Sequence, residues 1–193
     1  AARCAANDTV GTITAWKNTG DNTSTGAIVC FNDANAVEFI DFKLVAGKVA
    51  AACTDATTAQ WATATTAQVI KPHTWYHVAL KHDGQRPYIF VNGVQQVLTD
   101  STTTDLTDWF NTLDGIDKGF IGASSIGGAG AVGEEFVGAI SDVKYYSTAL
   151  TDAQILADYN GVHLTTGCIA WYDMNSLKDL ATGGGTYDIS AVS

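Results

Sequence analysis

The chain has 193 residues, of which 46% are hydrophobic and only 16% charged. That length and apolar content suit one domain with a sizeable core, because β-sandwiches reach this size undivided. Its 10 basic and 20 acidic side chains give a formal net charge of -10, a balance that repels nucleic acid and is not offset by any Lys/Arg cluster. No apolar run approaches the length of a membrane span, so no membrane insertion is expected. Abundant Thr with few long charged side chains favours sheet over exposed helix. The first residue is Ala rather than Met, which predicts a processed or excised polypeptide.

In chain order, Val10 to Trp16 alternates as a strand, with Ile13 and Ala15 on one face and Thr12, Thr14 and Trp16 on the other. Ala27–Phe31, Ala36–Leu44 and Lys48–Cys53 follow as strands, and Cys53 to Ala59 reads as a loop. In the second of these, Val37, Phe39 and Asp41 share one parity and Glu38, Ile40, Phe42 and Leu44 the other. Trp61 to Ile70 continues in Ala/Thr alternation. The strongest local signal is a run of three antiparallel strands near 75–82, 87–91 and 94–98. Asn92-Gly93 allows the two positive φ angles of a type I′ hairpin, and Pro87 suits the first residue of a strand.

Thr99 to Thr107 reads as a polar connection, Asp105 to Phe110 as one helical turn, and Gly119 to Gly122 as a short strand. The Gly/Ala/Ser-rich stretch Ala123 to Gly133 reads as an exposed loop. Phe136 to Tyr146 is a long strand. Strict alternation cannot bury both Ile140 and Val143, which predicts a β-bulge near Ser141-Asp142. Thr151 caps a short helix over 151–159 that Asn160-Gly161 ends. Cys168 to Tyr172 is a last clear strand, and Tyr187 to Val192 is expected to add another. Strands with a single short helix exclude parallel crossover units and predict an all-β, antiparallel two-sheet sandwich.

The cysteines are Cys4, Cys30, Cys53 and Cys168, with no CxxC pair to hold zinc. They permit two disulfides in three pairings; the alternative is small buried strand residues. Cys4–Cys168 would join the chain ends. Cys30–Cys53 would have to reach across an intervening strand, about 9–10 Å in one sheet.

Four segments together resemble the laminin-G-like, concanavalin A-like jelly-roll superfamily, in its pentraxin-related branch. They are Gly11-Thr12-Ile13-Thr14-Ala15-Trp16, Trp75-Tyr76-His77-Val78-Ala79-Leu80 with Asp83-Gly84, Tyr88 to Gly93, and Phe136 to Val143 followed by Tyr145-Tyr146 and Ala149 to Ile155. The resemblance covers residues 11–160. It implies a jelly-roll domain over 1–166. Such domains usually open on a strand like the one found here at the far end, Cys168-Ile169-Ala170-Trp171-Tyr172. Residues 167–193 are therefore expected either to close the same sandwich or to begin a following repeat, donated to a neighbouring domain or subunit.

The residues offer no recognisable catalytic constellation. Glu134 and Glu135 are adjacent on a strand and point to opposite faces, so they cannot flank one glycosidic bond; they read as solvated charges at a loop edge. The four histidines, His73, His77, His82 and His163, lack zincin spacing, no Ser lies in a G-x-S-x-G turn, and His77 reads as a structural sheet residue. No cofactor is expected apart from calcium, which the resemblance implies in the rim loops; Asp33, Asn35, Asp114 and Asp117 are candidate ligands, and turn-forming residues explain them equally well. Asn7-Asp8-Thr9 and Asn22-Thr23-Ser24 fit the glycosylation acceptor pattern.

Two functions follow. The first is a non-catalytic structural or adhesive module of a cell-surface, fibre or virion protein, self-associating or joined to neighbouring domains. The second is a glycan-binding lectin, with an enzyme of the same fold more distant. Trp61 and Trp109 are the residues expected to stack on sugar rings, against the alternative that each covers an edge of the core. Either function places the chain outside the cell.

Overall fold

The computed structural model describes residues 8–33, 38–125, 132–175 and 179–181. Two six-stranded antiparallel sheets face each other. The first is built from β1 (Gly11–Thr19), β6 (Trp75–His82), β7 (Pro87–Val91), β8 (Val94–Gln95), β11 (Gly138–Tyr146) and β12 (Cys168–Tyr172). The second is built from β2 (Thr25–Asn32), β3 (Phe39–Val45), β4 (Lys48–Asp55), β5 (Thr58–Thr65), β9 (Leu98–Thr103) and β10 (Lys118–Ile121). The strand orders are β12-β11-β1-β6-β7-β8 and β10-β2-β3-β4-β5-β9. One helix, α1 (Asp152–Tyr159), completes the described elements. The all-β jelly-roll sandwich expected from the sequence is the fold observed.

Period-two alternation makes the core. Ile13 and Ala15 of β1, Ile40, Phe42 and Leu44 of β3, Val78 and Leu80 of β6, and Ile89 of β7 all point between the sheets. The type I′ turn forms at Asn92 (φ 50) and Gly93 (φ 78). The bulge is present: the β1–β11 register slips between Thr14 and Trp16, opposite Lys144 and Ser141, and Asp142 takes φ 51. Both Ile140 and Val143 then reach the core. Thr151 caps α1 in a reciprocal box with Gln154.

Three expectations are corrected. Thr99–Thr107 is not all connection, because Leu98–Thr103 is the edge strand β9, paired to β5. An edge strand facing water needs no apolar alternation, so its Thr, Ser and Asp conceal it. The loop at Cys53–Ala59 is a two-residue turn, in which Ala56 (φ 43) and Thr57 (φ 73) adopt the positive φ usually left to Gly and Asn. The third hairpin strand stops at Gln95, and the chain crosses to the other sheet at Leu98. Residues 105–110 fold as turns. The strand expected over Tyr187–Val192 lies outside the described residues.

The first sheet is covered on both faces. Tyr146, Leu150, Ile155 and Cys168 form a second apolar cluster with Ala79 and Phe90 on its outer side, beneath α1. Thr12 fits there because its hydroxyl donates to the Thr148 carbonyl (3.0 Å) and accepts from the Leu150 N–H (2.9 Å). Strand β12 pairs with β11 of its own chain. Its far edge is met by the following segment: the Trp171 N–H donates to Asp179 Oδ1 (2.9 Å) and the Leu180 N–H to the Trp171 carbonyl (2.7 Å). Cys168, Ile169, Ala170, Trp171 and Tyr172 thus lie in the chain's own sheet, with that edge covered at Trp171.

Lys17 breaks the pattern of the core. It shares the inward parity of Ile13 and Ala15, is fully buried, and its Nζ has no hydrogen-bond partner. The nearest compensation is the Tyr76 ring, 5.3 Å from Nζ. Burial lowers its pKa to about 7.

Two outcomes are expected. The unfolded chain holds the Lys17 proton up to its ordinary pKa of 10.5, while the folded chain releases it near 7. Stability therefore rises with pH between those values and is lowest below pH 7. Lys17→Met should flatten that rise and add on the order of 2 kcal/mol at pH 6, about 2–4 °C in Tm per kcal/mol at this length, read by thermal melts across pH. Second, light scattering should show the full chain as a monomer. Ending the chain at residue 166 should keep it monomeric but lower its Tm, because β11 loses its partner and Tyr146 its cover. An oligomer of the full chain would restore strand donation.

Candidate functional site

The outward face of the second sheet carries an unusual surface. Inward residues Val49, Ala51, Cys53 and Trp61 alternate with outward Ala50, Ala52, Ala62 and Ala64. The register aligns them in two rows across three strands: Asp41, Ala52 and Ala62, then Lys43, Ala50 and Ala64. Rows two residues apart are roughly 7 Å apart and neighbouring strands about 4.8 Å. The result is a flat patch without bulky side chains, bounded on one side by charge.

That charge is a trio. Lys43 Nζ lies 2.8 Å from Asp41 Oδ2 and 3.1 and 3.0 Å from the two carboxylate oxygens of Glu134. Asp41 is fully buried beneath the ammonium, and its Oδ1 has no hydrogen-bond partner. Burial raises its pKa to about 6, even though the Lys43 charge pulls the other way. Lys43 keeps 19% of its side chain exposed and Glu134 30%. Glu134 is therefore not the solvated loop charge expected; it reaches Lys43 from a turn where its own φ is 47.

The tryptophans expected to stack on sugars do not lie here. Trp61 and Trp109 are both 0% exposed. They stack at 6.3 Å, Trp109 also stacks on His82 at 5.0 Å, and the Trp61 Nε1–H donates to the Asp108 carbonyl (2.8 Å). With no face open to solvent, neither can receive a sugar; they are core residues.

Asp33 and the turn holding Asp114 and Asp117 meet at one rim of the second sheet. The Asp117 N–H donates to the Asn32 carbonyl (3.2 Å), and Glu38 Oε2 accepts from the Gly115 N–H (2.6 Å). Glu38 thus joins a rim to which sequence reasoning had not assigned it. Asn35 lies outside the described residues, among which no group of three or more His, Cys, Asp or Glu is arranged to hold a metal.

Cys30, Cys53 and Cys168 are free and buried. Cys30 lies beside outward Asp41 whereas Cys53 points into the core, so the pairing fails on direction as well as distance. Burial raises the Cys30 thiol to about 12 and the Cys168 thiol to about 11, which leaves both unreactive. Cys4, and with it any link to Cys168, lies outside the described residues, as does Asn7.

His77 is structural, as expected: it is buried, with Nε2 3.1 Å from Asp158 Oδ2 on α1. Lys144 Nζ completes that pair at 2.7 Å from Asp158 Oδ1 and 2.7 Å from Asp142 Oδ2. Burial pushes the Asp158 carboxyl up, but the His77 hydrogen bond and the Lys144 charge outweigh it and hold the pKa at about 2.

The two facing antiparallel sheets with the short helix define a domain of the jelly-roll class. The chain belongs to the family described as the concanavalin A-like lectin/glucanases superfamily, whose model matches residues 4–156. No curated protein matches it. Among solved structures, the CBM40 domain of the Ruminococcus gnavus IT-sialidase, bound to α2,3-sialyllactose, is similar at TM-score 0.68 and 17% identity, over 82% of this chain and 85% of that one. A carbohydrate-binding protein of Bacteroides ovatus, described as putative, is similar at TM-score 0.62 and 22% identity, over 93% of this chain and 49% of that one. The leech intramolecular trans-sialidase is similar at TM-score 0.68 and 16% identity, over 85% of this chain but 25% of that one. At these identities the likeness is one of fold.

The Asp41 carboxyl supplies a test of the trio. Its folded pKa of about 6 lies above the ordinary 3.8, so its contribution to stability is full below pH 4 and is lost as pH rises through 6. Asp41→Asn should remove that loss, so that its melting temperature no longer falls between pH 4 and pH 7 by the wild-type Asp41 increment. A variant that instead loses stability at both pH values would show that the ion pair with Lys43 dominates.

Proposed function

We propose that this chain is a glycan-binding module, and that its ligand lies on the alanine patch against the exposed edges of Lys43 and Glu134. The observation that carries the reading is the pairing of a flat patch with a polar trio that is not fully spent. The partly exposed outward Ala52, Ala62 and Ala64 leave room for a sugar ring, while the ammonium and the carboxylate at its border offer a donor and acceptors to hydroxyl groups. Asp41 serves as the buried anchor that orients Lys43. The fold likeness to sialidase CBM40 domains and to a carbohydrate-binding protein supports the same reading over a purely structural one. Such a module acts where glycans are displayed, outside the cell or on its surface. Among the described residues no helix is long and apolar enough to cross a membrane.

The test is calorimetry or a glycan array on the full chain, with sialyllactose and lactose as first probes. Ala62→Leu fills the patch without touching the core and should weaken binding by roughly tenfold or more, about 1.4 kcal/mol, at unchanged Tm. Lys43→Met should weaken it similarly. Unchanged binding in Ala62→Leu would move the ligand elsewhere, and no glycan bound by the wild type would end the proposal.

A further inference from the structure

A second feature lies on the opposite side of the sandwich, and its case does not rest on the alanine patch. The outer face of the first sheet is roofed by α1 only as far as Tyr159. Beyond it a shallow, open cleft of about 340 Å³ is lined by Trp16, Trp75 and Ser141. Trp75 is 44% exposed, although an indole is normally driven inward. Trp16 is fixed in place: it stacks on Tyr159 at 5.7 Å and 27°, and meets the His77 ring edgewise at 5.6 Å and 65°. His77 is itself held by Asp158. One wall of the cleft is therefore rigid before any ligand arrives.

Polar groups are present in the right kind. Asn18 follows Trp16 on the same face of β1, and is flanked by Trp75 on β6 and Ala139 on β11. Its amide forms no hydrogen bond with the described residues, so two donors and an acceptor are unspent. The Ser141 hydroxyl donates to the Asp173 carbonyl (3.1 Å) and keeps its lone pairs. None of the lining residues is charged; Lys144, Asp142 and Asp158 on this side of the sheet are bound to one another, and the Asp173 carboxylate beside Ser141 accepts from Asn175.

We propose that this cleft is a second carbohydrate subsite, for an uncharged pyranose. Its C–H face would lie against the indoles, and its hydroxyls would meet Asn18 and Ser141. An anionic sugar would find no cation among the described lining residues. With the alanine patch on the other sheet, the module would hold glycan on both sides and gain from avidity on a dense glycan surface.

The experiment uses the full chain carrying Ala62→Leu, which weakens binding on the opposite face, and reads tryptophan emission and acrylamide quenching. The probes are lactose, cellotetraose, maltotetraose, chitotetraose and sialyllactose. At least one neutral oligosaccharide should protect tryptophan from quenching. Trp75→Ala should weaken that protection roughly tenfold or more at unchanged Tm, and Trp75→Phe should keep most of it. The proposal is overturned if no neutral probe protects, if protection survives Trp75→Ala, or if sialyllactose is preferred to lactose. Because Ala62→Leu is present throughout, failure here leaves the reading of the other face untouched.

Discussion

The buried carboxylate of Asp158 joins the only helix among the described elements to the first sheet. It accepts Lys144 from β11 and is bonded to His77 of β6, two strands that flank β1 on either side. Removing one partner of such a group leaves a buried charge uncompensated, at a cost of about 3–5 kcal/mol. The apolar cluster beneath α1 then adds area to a helix already oriented by charge. Eight residues of helix have little stability of their own, so the docking supplies it. The bulge at Ser141-Asp142 belongs to the same arrangement, because it allows Asp142 to reach Lys144 while Ile140 and Val143 remain in the core.

Much of this was legible in the residues. Asn92-Gly93 fixed one hairpin through its dihedral demand, and the spacing of Ile140 and Val143 disclosed the bulge through a parity conflict. What escaped notice has physical reasons too. Strand β9 is polar because one edge and most of its side chains face water. The Ala56-Thr57 turn carries no Gly or Asn to announce it. Trp61 and Trp109 sit next to loops in sequence, but their stacking with His82 turns both into the core. The patch was half visible: the parity of Asp41 and the outward alanines can be read from alternation, whereas Glu134 joins Lys43 from 91 residues away.

The same chemistry occurs twice with opposite exposure. Lys144 between Asp142 and Asp158 resembles Lys43 between Glu134 and Asp41: one ammonium, two carboxylates, one of them fully buried. Beneath α1 the ammonium is 2% exposed, and its buried carboxylate sits well below the ordinary pKa. That trio is satisfied, and it serves the fold. On the second sheet no helix among the described residues covers the ammonium, the buried carboxylate has an oxygen without a partner, and its pKa is raised rather than lowered. A carboxylate that resists ionisation where it lies contributes less to stability than its geometry promises. The asymmetry is the physical reason to treat one trio as a clamp and the other as part of a binding surface. A polar group kept at a cost to the fold is a candidate for function, and here it borders the row of small outward residues Ala52, Ala62 and Ala64.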